Sequence, residues 1–173
     1  GQDGGEPGKF ICKFGSAGPN PGEFNYPEDI CVDDEHAYVS DYNANKVLQF
    51  KRHSGKFVKD FVVGTNVRGI DVDRKHLFVA ANGNNSIYKF NKEDATQVQC
   101  TSLSWQPSGL AVDEAHVYVT THRPNNTVYV LKKANHASVT SCSPSCSYVW
   151  GCAVSLHDLY LVDYHNHCIQ VVR

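Results

Sequence analysis

The feature that most constrains this chain is a four-fold internal repeat. Four segments align without gaps: "ICVDDEHAYVSD" from Ile30, "IDVDRKHLFVAA" from Ile70, "LAVDEAHVYVTT" from Leu110 and "CAVSLHDLYLVD" from Cys152. Their starts lie 40, 40 and 42 residues apart. Each segment holds two runs of alternating apolar residues rich in Val, Ile, Tyr and Phe, separated by a short polar turn, and so reads as two strands. After a polar loop comes a third strand: "KVLQF", "SIYKF", "TVYVL" and "CIQVV". A weaker fourth follows in three copies, as "KFVKDFV", "TQVQC" and "ASVTSC". No segment carries a convincing amphipathic helix pattern. A repeat of ~40 residues with four short strands is the pattern of a β-propeller blade. The expected fold is all-β: a small propeller, in one domain, with four blades of four antiparallel strands near residues 27–64, 67–102, 107–143 and 149–173.

The last copy stops after its third strand. The N-terminal "GKFICKFGS" resembles "GKFVKDFVVG" at Gly55–Gly64, the fourth strand of the first copy. Residues 9–15 are therefore expected to complete the last blade, closing the ring and removing an open sheet edge. Cys12 and Cys168 would then be neighbours in one sheet, and a disulfide between them is expected to lock the ring.

The stretch from Phe10 to Phe50 resembles the NHL-repeat family. The matches are Phe14-Gly15, the "PGEF" at Pro21–Phe24, Pro27, the "ICVD" at Ile30–Asp33, the "YVSD" ending at Asp41 and the "NKVLQF" ending at Phe50. Later copies keep the "VD" and "YV" strands but lose the Phe-Gly linker. The last keeps "YLVDYHNHCIQV", close to the family's strand–Asp–x–x–Asn–His–x–strand pattern. The resemblance implies a propeller along nearly the whole chain. Rings of that family usually have six blades, and here the count is four.

The 173 residues suffice for one domain with a sizeable core. The formal net charge of −2 gives no basic excess for nucleic acid, which is not expected as a partner. No run approaches the ~18 apolar residues of a membrane span, so no membrane insertion is expected. The chain has no Met, and its "GQDGGEPG" start has the look of a processed terminus. Seven cysteines, several in strand-like contexts rather than CxxC pairs, fit disulfides in a secreted, extracellular protein better than zinc. Seven is odd, which leaves one thiol free or bridging a homodimer. In "SCSPSCSYVWGC", Cys142–Cys146 is the expected short staple, with Cys100 as rival partner. Cys152 aligns with Ile30, Ile70 and Leu110 and reads as a buried thiol.

His36, His76 and His116 occupy one turn in three blades, and Asp158 takes the slot in the fourth. Turn geometry with positive φ explains them better than a ring of metal ligands. The loops between second and third strands read "SDYNANK", "AANGNNS", "THRPNNT" and "VDYHNHC". In a propeller these gather on one face near the axis. Turn chemistry accounts for Asn45, Asn84 and Asn126. It accounts less well for the shared Asp-Tyr at Asp41-Tyr42 and Asp163-Tyr164, in blades that ring closure makes neighbours. Asn84 and Asn125 head N-glycosylation sequons in the second and third loops.

No nucleophile elbow, P-loop or paired-carboxylate site is present. The reading is a non-catalytic, lectin-like module without cofactor or metal, binding glycans or glycoproteins. Asp41, Tyr42, Asn43, Asp163, Tyr164 and His165 supply planar hydrogen-bonding groups beside aromatic rings. The alternative is a zinc lyase resembling peptide-amidating lyases, drawing on His122, Arg123, Tyr164, His165 and His167. RNA binding, as in other NHL proteins, ranks last because Lys46, Arg68 and Arg123 are scattered.

Overall fold

The computed structural model describes residues 10, 12–121, 126–146, 148–155 and 158–173. The first blade comprises β1 (Pro27–Val32), β2 (His36–Asp41), β3 (Lys46–Lys51) and β4 (Phe57–Val62). The second comprises β5 (Val67–Val72), β6 (His76–Ala81), β7 (Ser86–Asn91) and β8 (Gln97–Ser102). The third comprises β9 (Leu110–Val112), β10 (His116–Thr120), β11 (Val128–Lys132) and β12 (Ser138–Cys142). The fourth comprises β13 (Val149–Ser155), β14 (Asp158–Asp163) and β15 (Cys168–Val172). Each sheet is an antiparallel meander in chain order. The chain is thus all-β, built as four blades of a propeller.

The core lies in the seams between blades, so most sheets are covered on both faces and their middle strands are buried almost throughout. Tyr38, Val47 and Phe61 of the first blade pack on Val67, Ile70, Leu77 and Val79 of the second. Phe78, Ala80 and Ile87 of the second pack on Leu110, Val117 and Val119 of the third. Val128 of the third packs with Val149, Leu159 and Leu161 of the fourth. Each seam joins the forward face of one blade to the backward face of the next.

The ring does not close as the sequence suggests. Among the described residues the last sheet has three strands, and residues 12–16 form none. Residues 9 and 11 lie outside the described residues. The N-terminal segment instead lies on the backward face of the first blade: the rings of Phe14 and Phe24 sit 5.0 and 5.5 Å from that of Phe50. Gly55, at φ +63°, turns the chain beneath Phe14, where a Cβ would collide with the ring. Phe50 offers an aromatic surface that β15, with Val172 at the same repeat position, does not.

Neither expected disulfide forms, because all seven cysteines are free thiols. For Cys12 and Cys168 the reason is placement, since the N-terminal segment docks on the first blade. Register also opposes the pair. In the first blade Lys46 pairs with Val62, and the residue matching Val62 in the N-terminal "GKF" copy is Gly15, three residues from Cys12. Cys142 and Cys146 both pack as thiols in the apolar cluster of the third seam, and Cys142 takes a strand position opposite Val128.

Positive φ falls elsewhere than expected. His36, His76 and His116 open strands, and each stands beside an aspartate three residues earlier. The Asp33, Asp73 and Asp113 carboxylates accept the N–H of those histidines at 2.6–2.8 Å. Among the described non-glycine residues, left-handed φ falls at Asn45, Asn85, Asn126 and His167, at or near the end of the loops before third strands, and at Ala95 and His136 in the turns before fourth strands. Asn and His tolerate that conformation better than most residues.

Candidate functional site

Pro27 pairs with Asp41, Val67 with Ala81 and Val149 with Asp163. The start of each of these inner strands therefore stands at the same end of its blade as the loop after the second strand. Two residues before the aligned Ile30, Ile70, Leu110 and Cys152 come Glu28, Arg68, Ser108 and Trp150. These four line a cavity of about 90 Å³ on the inner rim, together with Gly69, Gly109 and Gly151. Gly69 and Gly109 let inner strands approach closely. A Cβ on Gly69 would lie 2.5 Å from the backbone N of Leu110 and from the carbonyl O of Ser108.

Arg68 organises the rim. Its guanidinium lies 5.3 Å from the ring centre of Tyr42 and 5.2 Å from that of Trp150, linking blades one, two and four. Such cation–π contacts hold an arginine with its edges free for hydrogen bonding. Its Nη1 is 3.7 Å from Glu28 Oε1, an ion pair beyond hydrogen-bond length. Arg68 Nε and Nη1 and Glu28 Oε2 are buried without hydrogen-bond partners among the described residues. Burial pushes the Glu28 carboxyl up, Arg68 pulls it back, Asp29 adds to the rise, and the net direction is upward.

An aromatic band continues outward from Arg68. Tyr26 stands edge-on to Tyr42. Trp150 stacks near Tyr148 at 5.9 Å and lies 6.3 Å from Tyr164. His165 packs edge-on against Tyr148 at 4.9 Å. Tyr26, Trp150 and Tyr164 are exposed.

The sequence-predicted residues divide into two kinds. Tyr42, Tyr164 and His165 lie in this band. Tyr42 and Tyr164 do not touch; they are joined through Arg68 and Trp150. Asn43 is exposed on the loop. Asp41 and Asp163 are buried and committed to the protein. Asp41 accepts the N–H groups of Asn25, Tyr26 and Ala44 at 2.7, 2.9 and 3.1 Å. Asp163 accepts Asn166 Nδ2 at 2.8 Å and Gln170 Nε2 at 3.0 Å. Both position their loops: Tyr42 N–H donates to the Tyr26 carbonyl, as Tyr164 N–H does to that of Tyr148. Asn84 is exposed at the end of a 3-10 turn and donates to the Tyr88 hydroxyl. Asn125, His122 and Arg123 lie outside the described residues. Among the described residues no group of three or more His, Cys, Asp or Glu side chains could hold a metal ion.

A larger groove, about 820 Å³, opens at the other end of the first two blades and includes Asp33, His36, Asp73, His76 and Lys92. Two of its charges satisfy each other, with Lys92 Nζ 2.7 Å from Asp33 Oδ2. The inner rim is smaller, but there Arg68 Nε and Nη1 and Glu28 Oε2 converge without hydrogen-bond partners among the described residues.

Residues 5–101 match the DUF5128 family, described as a 6-bladed beta-propeller. The chain belongs to this family. No curated protein sequence matches the chain. Among solved structures it is similar to the computationally designed Ika4 protein, at 8% identity and TM-score 0.71, covering 94% of this chain and 98% of that one. It is similar to a streptogramin B lyase at 19% identity and TM-score 0.70, covering 84% of this chain and 51% of the lyase. It is also similar to the RRP9 WD40 repeats at 14% identity and TM-score 0.68, covering 84% and 50%. This DUF5128 chain thus spans about half the length of the latter two, and at such identities the likeness is one of fold.

The rim residues Glu28, Arg68, Ser108 and Trp150 escape a reading based on loops alone. The signal available was positional: one repeat slot, two residues before the inner-strand core residue, is polar or aromatic in all four copies.

Proposed function

We propose that this chain is a non-catalytic binding module whose rim, from Tyr42 through Arg68 and Trp150 to Tyr164, binds glycans or glycoproteins. The observation that carries this reading is the arginine held between two aromatic rings beside a carboxylate whose Oε2 has no hydrogen-bond partner among the described residues. A saccharide offers an apolar C–H face, which an exposed aromatic ring covers, and hydroxyls that donate and accept at once. Arg68 supplies donors and Glu28 an acceptor. Asp41 and Asp163 act by positioning the loops that bear Tyr42 and Tyr164, while Asn43 and His165 flank the band. An extracellular setting is the one in which such a ligand is met, and use of the Asn84 sequon would mark it.

The test is a broad glycan array followed by titration of the best binder. Trp150→Ala and Arg68→Ala should each weaken binding by about tenfold or more. Asn43→Ala should change it little. A wild type that binds no glycan, or binding that survives both rim changes, overturns the reading.

A further inference from the structure

The fourth blade carries an uncovered forward face. Tyr160 and Val162 on β14 and Ile169 and Val171 on β15 are all exposed. The repeat equivalents of Ile169 are core residues throughout, and those of Tyr160 include the fully buried Tyr38 and Phe78. Ile169 takes the slot of Val47, Ile87 and Val128, each fully buried, yet is 59% exposed. The complementary slot shows the same break. Ile30 is 58% exposed, whereas the matching Ile70 and Leu110 are 3% and 4% exposed. Within the chain these two slots meet at seams: Val47 shares a cluster with Ile70, and Ile87 with Leu110. In the third seam Val128 packs in the cluster that Cys152 borders. The pair that would continue the series is Ile169 with Ile30, and the fold leaves both in solvent.

We propose that a second copy of this chain supplies the missing partner, with Ile169 of one copy packing on Ile30 of the other in two equivalent seams. Three observations select this occupant. The two faces are complementary by construction, because every seam in the molecule joins a forward face to a backward one. Two copies related by a two-fold axis satisfy both faces at once and leave no further open face, as closed symmetry favours. Phe14 and Phe24 already cover Phe50 and Val39 on the outer part of the first blade's backward face, leaving Ile30 and Val32 of the inner strand for the partner. The exposed face of β14 and β15 presents Tyr160, Val162, Ile169 and Val171, and the charges at its end, Asp158 and Arg173, neutralise each other at 2.7 Å. A pair also carries two rims, and on the reading above a multivalent glycan would engage both.

Light scattering coupled to size exclusion tests this directly. The wild type should elute at twice the chain mass. Ile169→Glu and Ile30→Lys should each weaken dimerisation by about a hundredfold. Val58→Glu, an exposed change on β4, should leave it intact. Mixing Ile169→Glu with Ile30→Lys should restore a heterodimer, because one seam then pairs Glu with Lys and the other pairs Ile with Ile. Thermal melts of each variant separate loss of assembly from loss of folding, and the mixing experiment needs only folded monomers. A wild type that stays monomeric at its highest soluble concentration overturns the proposal. So does a mixture that associates no better than either variant alone. Glycan binding by a monomer would leave the rim reading standing while this one falls.

Discussion

Lys92 Nζ lies 2.7 Å from Asp33 Oδ2 and 2.7 Å from the carbonyl oxygen of Asp73, tying the turn of the second blade to that of the first. Lys133 repeats the arrangement one blade on, donating to the Asp113 carbonyl and standing 3.3 Å from Asp73 Oδ2. Burial opposes ionisation of Asp33, but the bonds from Lys92, the N–H groups of Glu35 and His36 and the Tyr38 hydroxyl outweigh it and hold the carboxyl at about 2. A depressed carboxyl contributes stability that is full above its ordinary value of 3.8 and is lost as pH falls toward 2. Lys92→Met should cost about 2 kcal/mol at neutral pH. The gap between wild type and variant in denaturant titrations should narrow as pH drops through that window.

Gly69→Ala forces a Cβ to within 2.5 Å of backbone atoms that have no room to move. It should destabilise by about 2–3 kcal/mol or prevent folding. At Gly151 a Cβ meets nothing within 4 Å, so Gly151→Ala should change stability by no more than about 0.5 kcal/mol. Chemical denaturation of the two variants side by side checks both.

His136 is buried at the seam of the second and third blades, with Nδ1 3.0 Å from Thr101 Oγ1 and Phe78 beside its ring. Burial first, and then the Lys89 charge, lower it from 6.5 to about 4. The unfolded chain therefore binds a proton that the folded chain rejects, and stability falls as pH drops from the first value to the second. The buried Asp29 and Asp71 carboxyls are raised and work in the opposite sense. A comparison with His136→Asn isolates the histidine, since Asn also accepts the left-handed φ of +56° at this position. The variant's melting temperature should depend less on pH across the same window.

Asp41→Ala strips three backbone N–H groups of their acceptor and should cost about 3 kcal/mol. Because those groups hold Tyr26 and the Tyr42 loop, amide exchange should accelerate at Asn25, Tyr26 and Ala44 before it does elsewhere in the first blade.

Thiol titration in denaturant without reductant should count seven reactive groups per chain. In the native protein Cys152 should react last. Burial raises its thiol pKa, with the Asp71 and Asp29 charges adding to the effect, so little thiolate is available to attack.

Strand order and blade number could be read directly from the sequence, because the alternation of apolar residues and the spacing between Ile30, Ile70, Leu110 and Cys152 encode them locally. The loop asparagines were also legible, since the left-handed position before each third strand calls for Asn or a substitute such as His167. The path of residues 12–24 was not. The "GKF" match suggested a fourth strand for the last blade, but residues 12–16 form none; aromatic packing on Phe50 decided where that segment lies. Asp41 and Asp163 were singled out for the right reason, as unusual repeat residues, but their role lies in backbone bonds that composition does not reveal. Arg68 looked like one of several scattered cations until the fold set it between Tyr42 and Trp150.

The ties between blades are unevenly distributed. Asp29 accepts the Ile70 N–H and Asp71 the Val112 N–H, each across a seam, and the two lysine bridges lie across the same two seams. Among the described residues no carboxylate–N–H bond or lysine bridge of that kind spans the third seam, where Cys152 Sγ makes a long contact to the Tyr118 carbonyl. The first three blades are therefore tied more tightly to one another, and the fourth is held to them by apolar packing and by the Arg68–Trp150 contact. In native-state exchange its amides should open together and ahead of the rest, as a low-stability cooperative unit. Trp150 and Tyr164 ride on the fourth blade while Arg68 and Tyr42 stay on the first two, so swings of that blade would widen or narrow the gap between them.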